Sequence, residues 1–372
     1  MLTAARSPAP LAALVLLVAL AGCGSSTPAA RDEPQLNVYN WSDYIGKTTI
    51  ADFERATGIS VNYDTYDADN TLEAKMLAGG TGYDVVTTST DFFSRQIKAG
   101  VYRKLDRSAL PNWKYVDPDV LRLFESADPG NQYAVPYLRS NDGFAYNIDL
   151  VRARMPAAPV DSLDLLFKPE IISRFADCGV QFLDQPSDVL PMALSYLGLD
   201  PNTKRPEDYA AAEKLLMTVR PYVRSFDSVG YINALVNREL CIAMAWSSDY
   251  ATALARARAV GIDVRLAFTM PKEGSNRAFD AWLIPADAPH PKAALRFLNF
   301  LLEPKVIAAV TNDIYYGNAN LGADAYVDPS IIANPVLYPS AAAMARTYQM
   351  VEADHATERL RTRVWTRIKT GH

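Results

Sequence analysis

Strand-like and helix-like stretches alternate three times between residues 36 and 100, and this order constrains the fold more than any other feature of the chain. Residues 36–40 and 60–66 alternate apolar and polar side chains, and 83–88 is a third run rich in β-formers. Between and after them lie helical patterns. Residues 49–56 put Ile50 and Phe53 on one face and stop at Gly58, 71–78 stop at Gly79-Gly80, and 91–99 stop at Gly100. A β-α-β-α-β-α order predicts an α/β fold with a parallel sheet covered by helices. A second series begins beyond Tyr137. It has strand-length apolar runs at 180–183 and 241–246, with helical patterns at 207–219, 231–238 and 250–260. The stretch 139–142, between the two series, is the candidate crossing between two domains, and a body of about 350 residues suits two domains of ordinary size.

Ligands of open α/β sheets bind at the carboxyl ends of strands, so those ends are where chemistry is expected. The first strand ends in Asn40-Trp41-Ser42-Asp43-Tyr44, an indole, a hydroxyl, a carboxylate and a phenol in sequence. Such a set suits an organic cation, because ring faces attract the charge and cover methylenes while the carboxylate takes N–H donors. The third strand ends at Ser89-Thr90-Asp91. The run 180–183 is followed by Asp184 and Asp188, and the run 241–245 by Trp246-Ser247-Ser248-Asp249, which repeats the indole, hydroxyl and carboxylate. In Ala278-Phe279-Asp280-Ala281-Trp282 an acid interrupts an otherwise apolar strand. An ionised Asp is rarely buried alone, so a cation should meet it. Taken singly, Ser42, Asp43, Ser89, Asp188 and Asp249 also read as helix caps, and Asp280 as the partner of a core Arg. Caps account for the acids, but not for two indoles placed beside acids in different halves of the chain.

Arg6, the apolar run 11–21 and the small residues after it form an export signal too short to span a bilayer. It ends in Leu20-Ala21-Gly22-Cys23, which resembles a lipobox; Cys23 is the expected site of lipidation, after a signal peptide over 1–22 and before a tether over 23–34. Anchorage by lipid alone is expected, since no second apolar run approaches spanning length. Cys178 and Cys241 would then lie in an oxidising compartment, and their pairing is expected. The net charge of −5, with no basic run, makes nucleic acid an unsuited partner and leaves small cations admissible. Paired carboxylates also serve glycoside hydrolysis. The three histidines sit in no motif, however, and no phosphate loop, metal-spaced cluster or nucleophile elbow is seen, so an enzyme is not expected.

Several segments carry a further signal: Asn37 to Tyr44, Asp52-Phe53-Glu54 leading to Thr57-Gly58-Ile59, Pro159-Val160-Asp161-Ser162 with Lys168-Pro169-Glu170, and Cys178-Gly179-Val180. Others are Met270-Pro271-Lys272-Glu273-Gly274, Tyr316-Gly317-Asn318-Ala319-Asn320, and Arg361-Thr362-Arg363 with Trp365. In this order they resemble the periplasmic polyamine-binding proteins of ABC transporters, most closely the putrescine-binding members. The resemblance implies a two-lobe periplasmic-binding-protein fold (type II) with the ligand cleft between lobes, one holding 35–138 plus 263–316 and the other 139–262 plus 317–372. It implies ligand contacts from Trp41, Ser42, Asp43, Tyr44, Ser89, Asp188, Trp246, Asp249, Asp280 and Tyr316, and a Cys178–Cys241 disulfide. It also implies a monomer without cofactor or metal, which captures putrescine or a related polyamine and delivers it to ABC permease subunits in the inner membrane. A polyamine sensor reporting to a membrane signalling protein would share the same site.

Putrescine is a dication, because primary amines titrate near pH 10. Asp43 with Asp280, and Asp188 with Asp249, are the expected partners of its two ends, with Trp41, Trp246, Tyr44 and Tyr316 walling its methylenes. Four positions depart from the family pattern. Ala278 replaces a large ring and Asp188 a longer Glu, both of which widen the site toward spermidine, cadaverine or agmatine. Arg139 replaces a Trp, where a guanidinium would oppose a cation unless Asp142 neutralises it. Thr87-Thr88 replaces a Val-Pro pair ahead of Ser89.

Overall fold

The structure, a computed structural model, describes residues 34–371. The signal peptide, most of the tether and Cys23 lie outside the described residues.

The strands are β1 (Gln35–Trp41), β2 (Ser60–Tyr66), β3 (Val85–Ser89), β4 (Val135–Asn147), β5 (Val180–Phe182), β6 (Ser225–Phe226), β7 (Ile242–Trp246), β8 (Leu266–Thr269), β9 (Ser275–Leu283), β10 (Gly317–Asn318) and β11 (Thr347–Tyr348). Helices α1 (Thr49–Thr57), α2 (Asp69–Ala78) and α3 (Thr90–Lys98) join and follow the first three strands. β1 pairs in parallel with β2 on one side and with β3 on the other, as the opening alternation predicts. Gly58 ends α1 in the left-handed conformation (φ 71°), donating its N–H to the Glu54 carbonyl, which is why the pattern stops there.

The sheet is not wholly parallel. β9 lies antiparallel between β3 and β4, so the strand order is β2-β1-β3-β9-β4-β7-β5-β6. The reading of local alternation missed this, because β9 is far downstream and reaches its place without a βαβ crossover. The stretch 139–142 is not a loop. It is the middle of the 13-residue β4, whose first half pairs with β9 and whose second half pairs with β7 and β8. Two half-sheets therefore share one strand, with β5 and β6 continuing the second in parallel register.

Both faces of the sheet are covered. Trp282 of β9 is almost fully buried and packs on Tyr137 (5.0 Å between centroids) and Phe297 (5.7 Å). Phe124, on the other face, packs on Phe93 (5.5 Å) and Phe279 (6.2 Å). Cys178 and Cys241 form a disulfide with a Cα separation of 5.5 Å, tying the approach to β5 to that of β7. The helix His355–Thr370 seals the second half-sheet with Val364, Trp365 and Ile368.

Candidate functional site

The strand ends expected to carry chemistry converge. Trp41 closes β1 and leads into Ser42, Asp43 and Tyr44; Asp43 turns the chain in the left-handed region (φ 57°), which Asp tolerates better than most residues. Ser89 ends β3, Trp246 ends β7, and Asp280 lies inside β9 opposite Ser89. Asp188 falls in the first turn of the helix Pro186–Tyr196, and Asp249 opens the helix Asp249–Ala259. Tyr316 follows the helix Pro304–Ile314, whose last turn is broken by Tyr315 with φ 65°. All ten of these residues border one cavity. Ala278, where a large ring was expected in relatives, borders it too.

Aromatic and acidic groups share its wall. Trp41 and Trp246 meet edge to face across the cavity at 6.1 Å, and Tyr44 meets Tyr316 in the same way at 4.8 Å. The Tyr44 hydroxyl donates to Asp280 at 2.6 Å. Those of Tyr316 (2.7 Å) and Tyr231 both donate to Asp249. The indole N–H of Trp246 donates to Asp188 at 3.1 Å. These neutral donors favour the ionised carboxylates, but burial wins. Asp280 is pushed up to about 7 and Asp249 to about 6, and Asp188 lies well above the usual carboxylate range, each chiefly through desolvation. No lysine or arginine is among the described residues that line the cavity.

Asp280 accepts a hydrogen bond from the Tyr44 phenol and has no arginine or lysine beside it among the residues that line the cavity. Two expectations need correction, those for Asp43 and for Arg139. Arg256 holds Asp43, Nη2 to Oδ2 at 2.7 Å, so Asp43 is already compensated, and its side chain is half exposed. The acids that act on Asp188 are Asp142, Asp91 and Asp69. Arg139 does not oppose a ligand in the cavity, because it lies outside the wall with its guanidinium 5.0 Å from the Tyr338 ring. It can lie there because Gly317 has no side chain: a Cβ at Gly317 would come within 2.7 Å of the Arg139 Nε. Thr88 takes an unforeseen place, donating to Asp69 at 3.0 Å.

The sequence reading missed Asp69, Gln185 and Asn276 and named Asp91 only as part of the strand end Ser89-Thr90-Asp91; all four line the cavity. Asp69 stands just past the end of β2 and could have been found by the rule that found Asp249. Gln185 and Asn276 carry no pattern that distinguishes them from ordinary polar residues.

Residues 48–339 match the family model described as bacterial extracellular solute-binding protein. The chain belongs to that family. It is 45% identical to the putrescine-binding periplasmic protein SpuD of Pseudomonas aeruginosa, over 96% of this chain and 98% of the relative. It is 43% identical to the putrescine-binding periplasmic protein PotF of Escherichia coli, over 92% and 93%. Among solved structures, a chain from Listeria monocytogenes described as a spermidine/putrescine ABC transporter superposes with a TM-score of 0.82 at 27% identity, covering 91% of this chain and 100% of that one. The two half-sheets joined at β4 are thus the two-lobe α/β fold of substrate-binding proteins, and the protein is an extracytoplasmic solute-binding protein, not an enzyme. No helix among the described residues is long and apolar enough to cross a membrane.

Proposed function

We propose that the cavity captures a linear polyamine of the putrescine type and that the closed protein presents it to an ABC permease. The observation that carries this reading is the wall itself, in which buried carboxylates and two facing indoles from separate half-sheets surround a space lined by no cation. The names of the relatives above support it. Ligand contacts come from Trp41, Ser42, Tyr44, Ser89, Asp188, Trp246, Asp249, Asp280 and Tyr316, with Asp43 acting mainly through Arg256. Ser42 and Ser89 give their protons to Asp67 and to the Asp69–Asp91 pair, which leaves their lone pairs for N–H donors. Empty, the acids repel one another across the gap, and a bound cation reverses that repulsion, so closure depends on ligand.

The proposed lobes are 35–138 with 263–316, and 139–262 with 317–372; β8 within the first of these hydrogen-bonds to the second half of β4. We further propose a monomer without affinity for nucleic acid, held at the membrane by lipid on Cys23. Mass spectrometry of the small molecule that copurifies, followed by titration calorimetry, tests the reading. An aliphatic amine recovered unchanged and rebound supports it; no heat with any aliphatic amine overturns it.

A further inference from the structure

The densest negative charge in the cavity lies around Ser89, on the Asp280 side and away from Asp249. Asp69 and Asp91 stand beside Ser89 and help line the cavity, Asp188 lies on the helix across from them, and Asp142 sits behind with no exposed surface. Donors there are scarce. The Ser89 hydroxyl is 3.0 Å from Asp69 Oδ2 and 2.8 Å from Asp91 Oδ1, yet it carries one proton and can serve only one of them. Thr88 adds one donor to Asp69, the Gln185 amide approaches Asp69 at 3.4 Å, and Asp188 has the Trp246 indole. The Asn276 side chain is the only donor acting on Asp142, whose carboxylate oxygens meet no partner at full hydrogen-bond geometry, and the Gln185 carbonyl, buried on the cavity wall, has none among the described residues. Buried acceptors are rarely left so.

The nearest cations do not fill the gap. Arg95 and Arg361, which act on Asp91, are engaged by Glu73 and Glu358. Among the described residues no three acids converge tightly enough to hold a metal ion, so the charge is spread along the wall. A diamine brings two positive charges to a wall that holds Asp69, Asp91, Asp188, Asp249 and Asp280, with Asp142 buried beside it. We propose that Asp69, Asp91 and Gln185, backed by Asp142, form an additional cation subsite for a third ammonium group, so that the preferred ligand is a linear tri- or tetraamine rather than a diamine. A secondary ammonium has two N–H donors in opposed directions, suited to bridging acids on facing walls.

The proposal rests on the polyamine reading, and calorimetry separates the two. At one pH and ionic strength, spermidine or spermine should bind the mature chain at least about tenfold more tightly than putrescine, the factor expected for one added charged hydrogen bond. In Asp91→Asn that ratio should shrink severalfold, and Asp142→Asn should shrink it in the same direction if the first variant does not fold. Putrescine binding as tightly as both larger amines overturns the subsite and leaves the polyamine reading standing. Absence of binding by all three overturns both.

Discussion

Asp43 and Arg256 form an ion pair at 2.7 Å that joins the turn after β1 to the helix Asp249–Ala259. Asp280, by contrast, has only the phenol of Tyr44. The two acids stand close in the sequence logic of the site and far apart in what their loss should do. An exposed pair of this kind is worth about 0–1 kcal/mol. Asp43→Asn should therefore weaken amine binding by less than about 1 kcal/mol, whereas Asp280→Asn or Asp249→Asn should cost at least about 1.5 kcal/mol, the scale of a lost hydrogen bond to a charged group. Calorimetric affinities of the three variants check the ranking, and an Asp43 effect equal to the other two would contradict it.

Acidity should act on the ligand-bound and empty protein in opposite senses. Asp280 and Asp249 titrate at about 7 and about 6, raised mainly by burial, while in the unfolded chain an Asp titrates near 4. Between those values the folded state holds protons that the unfolded state has released. The stabilisation of the empty protein is then complete below about pH 4 and is lost as pH rises through the folded values. Binding of a cation needs the anions, so affinity should fall from pH 8 to pH 5. Thermal melts without ligand and titrations with ligand across that range check both signs; affinity that stays flat would contradict the assignment.

The Tyr316 hydroxyl favours the ionised form of Asp249. Tyr316→Phe removes that donor and leaves the ring contact with Tyr44 in place. A hydrogen bond to a charged acceptor is worth about 1.5–3 kcal/mol against about 0.5–1.5 for a neutral one, and the difference of about 1–1.5 kcal/mol should move the lower midpoint of the affinity profile up by about one pH unit. Titrations from pH 5 to 8 read the shift, and an unmoved midpoint would remove Tyr316 from the site's electrostatics.

The disulfide closes a span of 63 residues. In the chain-entropy model such a cross-link stabilises by about 4 kcal/mol. Replacing both Cys178 and Cys241 by Ser should lower the unfolding free energy by roughly that amount in urea titrations. Affinity should be nearly untouched, since neither cysteine borders the cavity. A loss of binding without a loss of stability would be the contrary result.

Much of the first half-sheet was legible because its elements are local: β1, α1, β2, α2, β3 and α3 each follow the last in space, so periodicity and glycine stops mark them within a few residues. The site was legible for a related reason, that strand ends carry it and Trp41 and Trp246 flag two of them. β4 was not. It is buried on both faces over most of its length, so its polar residues Arg139 to Asp142 break the alternation that would mark a strand. The partners of Asp43 and Asp188 were also hidden, since Arg256 lies 213 residues from Asp43, and only the folded chain sets them side by side. Arg361 of the last helix is buried as well, donating to Tyr209 and Glu358, which nothing in its local sequence marks.

Because Val135–Asn147 is one uninterrupted ribbon gripped by β9 along its first part and by β7 along its last, the two halves of the molecule cannot swing on a slack connector. The strand changes partner near residues 139–142, from β9 to β7, so a rotation of one half-sheet against the other would have to twist the backbone there. Ser140, which lines the cavity, stands at this change of partner, paired with Ala278, so the cavity wall and the seam between the half-sheets share a residue.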